Sequence, residues 1–274
     1  GCSKPEAPAT DAAKTDTAAT EQTVTIASTG SDADIWRHIA TLPETKAAGL
    51  KLDIKNFTDY VAMNTAVANN EVDVNAFQSY AYLVAYNEAN TAKIAPLSTT
   101  YSEPMGIYSS KVKTLAEFKN GATIAIPNDG ANESRALLLL QSAGLVKLKN
   151  DFDFVKGTSK DIVENNKALV IKPIQMATAV RVKDEVDAIV LGNTLAMEGG
   201  LNVLKDAIYY EPIDQTTKMN VNVLAVAEAR QNDPVLKKVG ELYHVAAVGK
   251  YVQEHFGGTK IDVNKPVSYL TQAK

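Results

Sequence analysis

From residue 23 onward the chain alternates short runs of β-branched residues with segments of helical periodicity. TVTIAS (23–28), KLDIKNF (51–57) and ATIAIP (122–127) have the composition of strands, and each is followed by a segment typical of a helix. DAIVL (187–191) and NVNVLAV (220–226) continue the pattern. Because parallel strands need a long crossover, usually a helix, this alternation predicts an α/β fold with parallel-rich sheets covered by helices.

The order of these segments predicts two lobes. An extended run at 103–110 separates two blocks of strands and helices, and the last long strand pattern returns the chain to the first block. We expect residues 23–105 and 223–274 to form lobe 1, and residues 106–222 to form lobe 2. In α/β folds ligands bind beyond the carboxyl ends of strands or in a cleft between lobes. The fold prediction is therefore a two-lobed α/β protein with its ligand cleft between the lobes.

The first 22 residues have no pattern that could build a core. Residues 3–22 contain no aromatic and no branched aliphatic side chain. Such a segment cannot bury enough apolar surface to offset the entropy of ordering it, so we expect residues 1–22 to be a flexible tether. Cys2, the only cysteine of the sequence, stands at the head of this tether behind Gly1.

The position of Cys2 resembles the mature start of a bacterial lipoprotein, in which the cysteine carries acyl chains such as palmitate. The alternative is a chance cysteine near a chain end. A lipid on Cys2 would hold the globular part at a membrane, outside the cytoplasm, without a transmembrane helix.

Composition excludes several classes of function. The net charge is −4 and no cluster of Lys or Arg is present, which argues against a nucleic-acid partner. No stretch reaches the roughly 18 apolar residues of a membrane span. The three histidines, His38, His244 and His255, lack the spacing of metal ligands, so we expect no metal site. There is no phosphate-binding glycine loop and no nucleophile motif, so we expect neither a cofactor nor an enzyme.

The sharpest local signal is ATIAIPNDGANESRALLLLQSAGL, in which a polar loop follows a buried strand. The pattern predicts a helix over 133–143, with Asn132 as its N-cap and Arg135 in its first turn. A cation is disfavoured at a helix N-terminus by the helix dipole. The conflict is relieved if an anion, such as a ligand carboxylate, binds there. The alternative is that Arg135 pairs with a nearby acid, Glu133 or Asp129.

A second constellation is aromatic. Tyr60, Phe77, Tyr80 and Tyr82 fall near the starts of helices that follow strands, which is where residues of a ligand cleft originate. An aromatic box suits an apolar or thioether side chain, because contacts between sulfur and aromatic rings are favourable. The alternative is that these rings are ordinary core residues.

Taken in order, these segments resemble the methionine-binding lipoproteins of the NlpA type, which are the substrate-binding components of ABC importers. The resemblance extends from residue 23 to 255. The segments that carry it are FTDY (57–60), EVDVNAFQSYAYL (71–83), EPMGIYS (103–109), IPNDGANESRALLLL (126–140), LGNTLA (191–196) and VNVLAV (221–226).

The resemblance implies a two-lobed fold like that of periplasmic binding proteins, with specific roles for the matched residues. Arg135 would bind the α-carboxylate of an amino acid, with Asn132 beside it. Asn193 and Asn222 would hydrogen-bond the backbone polar groups of the ligand, and Asn220 is an alternative to Asn222. The side chain of the ligand would lie in a box formed by Tyr60, Phe77 and Tyr82, with Ser79 lining the same pocket.

Three departures from the family pattern bear on specificity. The family's histidine after F-Q is Ser79 here, which removes a ring from the side-chain pocket. Its proline before the asparagine of the FTDYVAMN segment is Met63, and the segment 171–180 also differs from the expected acidic and apolar run. Carboxylate recognition is therefore expected, whereas the preferred side chain stays open.

The function implied by the resemblance is an extracytoplasmic receptor that captures free L-methionine, or a close analogue, and delivers it to the membrane subunits of an ABC importer. We expect a monomer in the cell envelope, anchored by lipid on Cys2 and facing the periplasm or exterior. The alternatives are a receptor for another amino acid or a short methionine-containing peptide, and a surface interaction lipoprotein that has lost transport.

Overall fold

The computed structural model describes residues 21–272 of the chain. These residues divide into two compact units. The first unit contains the described residues through Ser102, together with Lys218–His255 and the residues from Ile261 onward. The second contains Glu103–Thr217 and the short segment Phe256–Lys260. The sequence-based division differs in placing 103–105 and 256–260 in lobe 1, and 218–222, which includes Asn222, in lobe 2.

The strands and helices alternate along both units. The strands are β1 (Gln22–Ser28), β2 (Leu50–Asn56), β3 (Val74–Ser79), β4 (Ile94–Thr99), β5 (Tyr101–Ser102), β6 (Gly106–Tyr108), β7 (Thr123–Pro127), β8 (Lys147–Leu148), β9 (Ile162–Glu164), β10 (Val170–Ile174), β11 (Ala188–Leu191), β12 (Tyr209–Tyr210), β13 (Asn222–Ala227) and β14 (Ile261–Asp262). The α-helices are α1 (Gly30–Ala40), α2 (Pro43–Ala47), α3 (Tyr60–Ala68), α4 (Tyr80–Ala89), α5 (Gly130–Ser142), α6 (Met176–Ala179), α7 (Asn193–Glu198), α8 (Val203–Asp206), α9 (Pro234–Leu242), α10 (Ala246–Phe256) and α11 (Ser268–Thr271). Single turns of 3-10 helix occur at Leu115–Glu117, Ser159–Asp161 and Glu228–Arg230, and longer ones at Val180–Glu185 and Gln215–Asn220.

The first unit is built on a mixed sheet with the strand order β2-β1-β3-β13-β4. β1 runs parallel to β2 and β3, whereas β13 runs antiparallel to β3 and β4. Asn222 belongs to this unit because β13 pairs with β3, with Asn222 opposite Ser79. The buried side chains of α3, α4 and β13, among them Met63, Leu83 and Val223, form one apolar cluster against this sheet.

The second unit is built on a sheet with the order β10-β7-β11-β6-β12. β7 is parallel to β10 and β11, and β6 is antiparallel to β11 and β12. The predicted α/β architecture is confirmed, and each sheet combines a parallel core with antiparallel strands. Helix α5 covers the second sheet with Leu137 and Leu140, which are buried against Ile124 of β7.

Local sequence explains where the key helices begin. α3 begins at Tyr60 because the carboxylate of Asp59 accepts hydrogen bonds from the amides of Val61 and Ala62, at 2.9 and 3.3 Å. α4 begins after Ser79, whose hydroxyl accepts from the amide of Tyr82 at 3.2 Å. Within residues 21–272, no helix has the length and apolarity needed to span a membrane.

Candidate functional site

In the second unit, sheet topology brings four chain segments to one edge. β7 and β11 are parallel neighbours, so the residues after their carboxyl ends, which lead to Arg135 and Asn193, lie at the same edge of the sheet. β6 runs antiparallel to β11 and β12, which places Glu103, before β6, and Glu211, after β12, at that edge as well. The carboxyl edge of parallel strands is where α/β sheets bind ligands.

The guanidinium of Arg135 is held by two segments of the second unit. Its Nε and Nη2 donate to the two carboxylate oxygens of Glu211, at 2.8 and 2.6 Å, and Nη2 also donates to the backbone oxygen of Glu103 at 3.0 Å. The side chain of Glu211 is only 7% exposed, and its Oε1 also accepts from the amide of Met105 at 2.7 Å. The remaining nitrogen of Arg135, Nη1, has no hydrogen-bond partner among the described residues.

Burial opposes the charging of Arg135, but the adjacent carboxylates of Glu211 and Glu103 outweigh it and raise the pKa of the guanidinium above its ordinary value. Arg135 is therefore a fixed cation, with one fork of its guanidinium bound to protein and one nitrogen available to a further acceptor.

The predicted start of the helix and the alternative partners named for Arg135 are both wrong. Helix α5 begins at Gly130 and not near Glu133, so Arg135 lies in the second turn and Asn132 is inside the helix. The amide of Asn132 donates to the carboxylate of Asp129 at 2.8 Å, and no side chain caps the helix. The partner of Arg135 is neither Glu133 nor Asp129 but Glu211, which local spacing cannot indicate because it lies 76 residues away. The helix-dipole argument for anion binding therefore does not apply at Arg135.

Asn193 occupies the first position of α7 and is 5% exposed. Its Nδ2 donates to Oε2 of Glu103 at 2.6 Å and to the hydroxyl of Thr259 at 3.1 Å. A carboxylate can only accept hydrogen bonds, so Glu103 fixes the orientation of this amide. The amide oxygen, Oδ1, is buried and has no hydrogen-bond partner in the described part of the chain. A buried acceptor of this kind is costly unless a ligand satisfies it.

Sequence reasoning did not identify Glu103, Glu211, Thr259 or Lys260 as parts of this site. The ammonium of Lys260 pairs with Oε1 of Glu103 at 3.2 Å and lies over the ring of Phe256, and its side chain is 4% exposed. These contacts explain why 256–260 belongs to the second unit. A lysine in an otherwise featureless segment gave no signal of burial, since lysines are mostly exposed.

The second unit contains a cavity of about 240 Å³. It is lined by Glu103, Asn132, Arg135 and the segment 192–195. The cavity therefore combines a free donor on Arg135 with a free acceptor on Asn193. Groups of three or more metal-binding side chains are absent from the described residues.

In the first unit, the predicted aromatic side chains come together. The ring centroids of Tyr60 and Phe77 are 5.3 Å apart, those of Phe77 and Tyr82 5.6 Å, and those of Tyr60 and Tyr82 6.4 Å. The cluster forms because β1 is parallel to β2 and β3, so the carboxyl ends of β2 and β3 bring α3 and α4 to one edge. Tyr60 is 54% exposed, which is unusual for a core ring. Asn222 and Phe77 line the same small cavity at this edge.

A network of buried amides connects two of the elements that carry these aromatic side chains. Asn64 of α3 exchanges hydrogen bonds with Gln78 of β3, at 2.8 and 3.0 Å, and also accepts from Asn75 at 2.8 Å. Gln78 additionally donates to Asn75 at 2.8 Å. All three side chains are at most 2% exposed. The network joins the helix that begins with Tyr60 to the strand that carries Phe77.

Ser79 has a structural role in addition to its predicted place in the pocket, because its hydroxyl caps the helix that carries Tyr82. Cys2 lies outside the described residues.

Comparison with known protein families identifies one family that matches most of the described residues. The sequence model of one family, described as NlpA lipoprotein, matches residues 24–264. The chain belongs to the NlpA lipoprotein family. The matched span includes every predicted ligand-binding residue, from Tyr60 to Asn222, and the expectation drawn from the family motifs is confirmed.

Individual relatives match this NlpA protein over most of its length and over most of their own. The chain is 34% identical over 260 residues to a "Probable D-methionine-binding lipoprotein MetQ" of Pasteurella multocida (strain Pm70), covering 94% of this chain and 91% of that protein. It superposes with a TM-score of 0.69 on a nutrient binding protein from Burkholderia cenocepacia bound to methionine, at 33% identity over 87% of this chain and 99% of that one. The same TM-score relates it to an ABC transporter periplasmic substrate-binding protein from Coxiella burnetii, at 34% identity over 88% and 100% of the two chains.

Proposed function

We propose that this chain is an extracytoplasmic substrate-binding lipoprotein that captures L-methionine, or a close analogue, and delivers it to an ABC importer. One observation carries the ligand class. The cavity of the second unit holds a cationic donor without a partner, Nη1 of Arg135, and a buried acceptor without a partner, Oδ1 of Asn193. A free amino acid has a carboxylate for the first and an ammonium for the second. The methionine-bound relative and the MetQ relative support the choice of side chain.

Each predicted residue then has a defined role. Arg135 binds the α-carboxylate, with Asn132 at the wall of the same cavity, and Asn193 accepts from the α-ammonium. Tyr60, Phe77 and Tyr82 contact the thioether side chain, with Ser79 beside them and Asn222 hydrogen-bonding the polar backbone of the ligand. No covalent step is part of this function, and the protein acts as a receptor and not as an enzyme.

The proposal includes an anchor and a location. Lipid on Cys2 would attach the receptor to a membrane of the cell envelope, with residues 1–22 as a tether and the two units facing the periplasm or exterior. The family's description as a lipoprotein supports this anchor. The receptor would act as a monomer and dock on the membrane subunits of the importer.

The role of Arg135 is tested by calorimetric titration of methionine into ligand-stripped, refolded protein. Arg135→Ala should weaken binding roughly 30- to several-thousand-fold, because a buried carboxylate loses its charged partner. Arg135→Lys keeps the charge but loses the bidentate geometry, so its affinity should fall between the two. Arg181→Ala, at an exposed position of the same unit, is the matched control and should bind like the parent. A parent protein that does not bind methionine, or an Arg135→Ala protein that binds within a few-fold of it, would contradict the proposal.

A second candidate is a receptor for another amino acid or a short methionine-containing peptide. It is favoured by one observation, the serine at position 79 in place of the family's histidine ring. Titration with a panel of amino acids and methionine dipeptides separates the two candidates, since each predicts a different ligand with the highest affinity.

A further inference from the structure

Without a ligand, the formal charges of the two ion pairs at the cavity of the second unit sum to zero. Two charged residues line the cavity, and each is paired with a more deeply buried partner of opposite sign. Arg135 pairs with Glu211 at 2.6 Å, and Glu103 pairs with Lys260 at 3.2 Å. A ligand with a net charge would therefore leave these two ion pairs with an excess charge of the same sign, and an uncompensated buried charge is strongly unfavourable.

The two sides of the cavity offer opposite hydrogen-bonding groups to a ligand. At Arg135 the available group is a donor. At Glu103 and Asn193 the available groups are acceptors. These two residues are adjacent, because Nδ2 of Asn193 donates to the carboxylate of Glu103. The amide oxygen of Asn193, Oδ1, is left without a partner among the described residues. The side chain of Glu103 keeps 22% of its surface exposed and lines the cavity. A carboxylate next to an unpartnered amide oxygen matches a group that is cationic and carries several N–H donors.

We propose that Glu103 is the specificity-determining residue for the α-ammonium group, so that the receptor accepts only zwitterionic ligands. This inference rests on the proposed function and adds a role for Glu103 that the family motifs did not indicate. A zwitterion brings one positive and one negative charge and leaves no excess charge beside the two ion pairs. An analogue without the amine brings only its carboxylate, leaves Oδ1 of Asn193 unsatisfied, and places an excess negative charge near Glu103.

The test uses the full chain, stripped of bound ligand by unfolding and refolding, and two probes in isothermal titration calorimetry. The first probe is L-methionine. The second is 4-(methylsulfanyl)butanoate, which has the same carboxylate and thioether but no amine. The parent protein should prefer methionine by at least about 30-fold, the range of a buried charged contact. In Glu103→Gln this preference should fall below about 10-fold, because methionine binds more weakly while the amine-free analogue is unaffected or improved.

The matched control is Glu198→Gln, which removes the same charge from an exposed position at the end of α7 and should leave the preference unchanged. If Glu103→Gln is unstable because Lys260 loses its partner, the double variant Glu103→Gln/Lys260→Met removes the pair as a whole and should show the same loss of preference. A Glu103 variant that keeps the parent's preference would overturn the inference, as would a parent that binds both probes equally. A parent that binds neither probe would instead contradict the proposed function itself.

Discussion

Replacing Glu211 by glutamine tests the ion pair that holds Arg135 in place. The carboxylate of Glu211 accepts from the amide of Met105 and from Nε and Nη2 of Arg135, at 2.6 to 2.8 Å. Glutamine has the same shape but offers one oxygen and one NH2 group. At least one of the three donors would therefore face another donor, and the guanidinium would lose its counter-charge.

The structure sets the expected magnitude. Removing one partner of a buried ion pair costs about 3–5 kcal/mol. Arg135 keeps 24% of its side chain exposed, so water screens part of its charge, and we expect the lower end, about 3 kcal/mol. With a urea m-value of about 3 kcal/mol/M, the unfolding midpoint should fall by about 1 M. Urea unfolding followed by far-UV circular dichroism measures this shift.

Two further variants separate the ion pair from general damage. Arg135→Met/Glu211→Leu removes both charges, so it should recover most of the stability lost in Glu211→Gln. Asp34→Asn breaks an exposed pair with Arg37 and should cost less than about 1 kcal/mol. A Glu211→Gln variant no more destabilised than Asp34→Asn would show that the buried pair does not stabilise the fold.

Three further predictions concern the first unit. Burial opposes the charging of His244, but its bonds to Asp262 at 2.6 Å and to the backbone oxygen of Thr99 at 2.8 Å raise its pKa above the ordinary 6.5. Its stabilising effect is thus full below pH 6.5 and lost as pH rises through the higher folded pKa, and thermal melting from pH 5 to 9 should show this slope in the parent but not in His244→Gln. Asn64→Leu should cost about 2–3 kcal/mol in urea unfolding, because two buried amides lose partners; a cost below about 1 kcal/mol would show that the network is dispensable. Ser79→His should sharpen the calorimetric preference for methionine over other amino acids while losing about 1 kcal/mol of helix capping, and an unchanged ligand profile would count against a pocket role.

Local sequence patterns were sufficient for most of the fold. The β-branched runs predict β1, β7 and β11 to within a residue or two. The start of α5 differs from the predicted one because Asn132, which has the chemistry of a cap, lies two residues inside the helix and donates to Asp129 instead.

The site was only partly predictable for a different reason. Arg135, Asn193 and the aromatic residues lie just beyond strand ends in recognisable motifs, so pattern and family resemblance both indicate them. Sheet pairing of β12 with β6 brings Glu211 to the site. Lys260 reaches the site in the short segment Phe256–Lys260, which is distant in sequence from the rest of the second unit. Their burial depends on the charge of Arg135 and Glu103, and that pairing is a property of the folded unit and not of local composition.

Calorimetric titration of the ligand-stripped chain with L-methionine, D-methionine, leucine and glutamate tests directly whether this protein is a methionine receptor. We expect saturable binding of L-methionine with one ligand per chain and no comparable binding of leucine or glutamate. A correctly folded protein that shows no saturable binding of either enantiomer would contradict it.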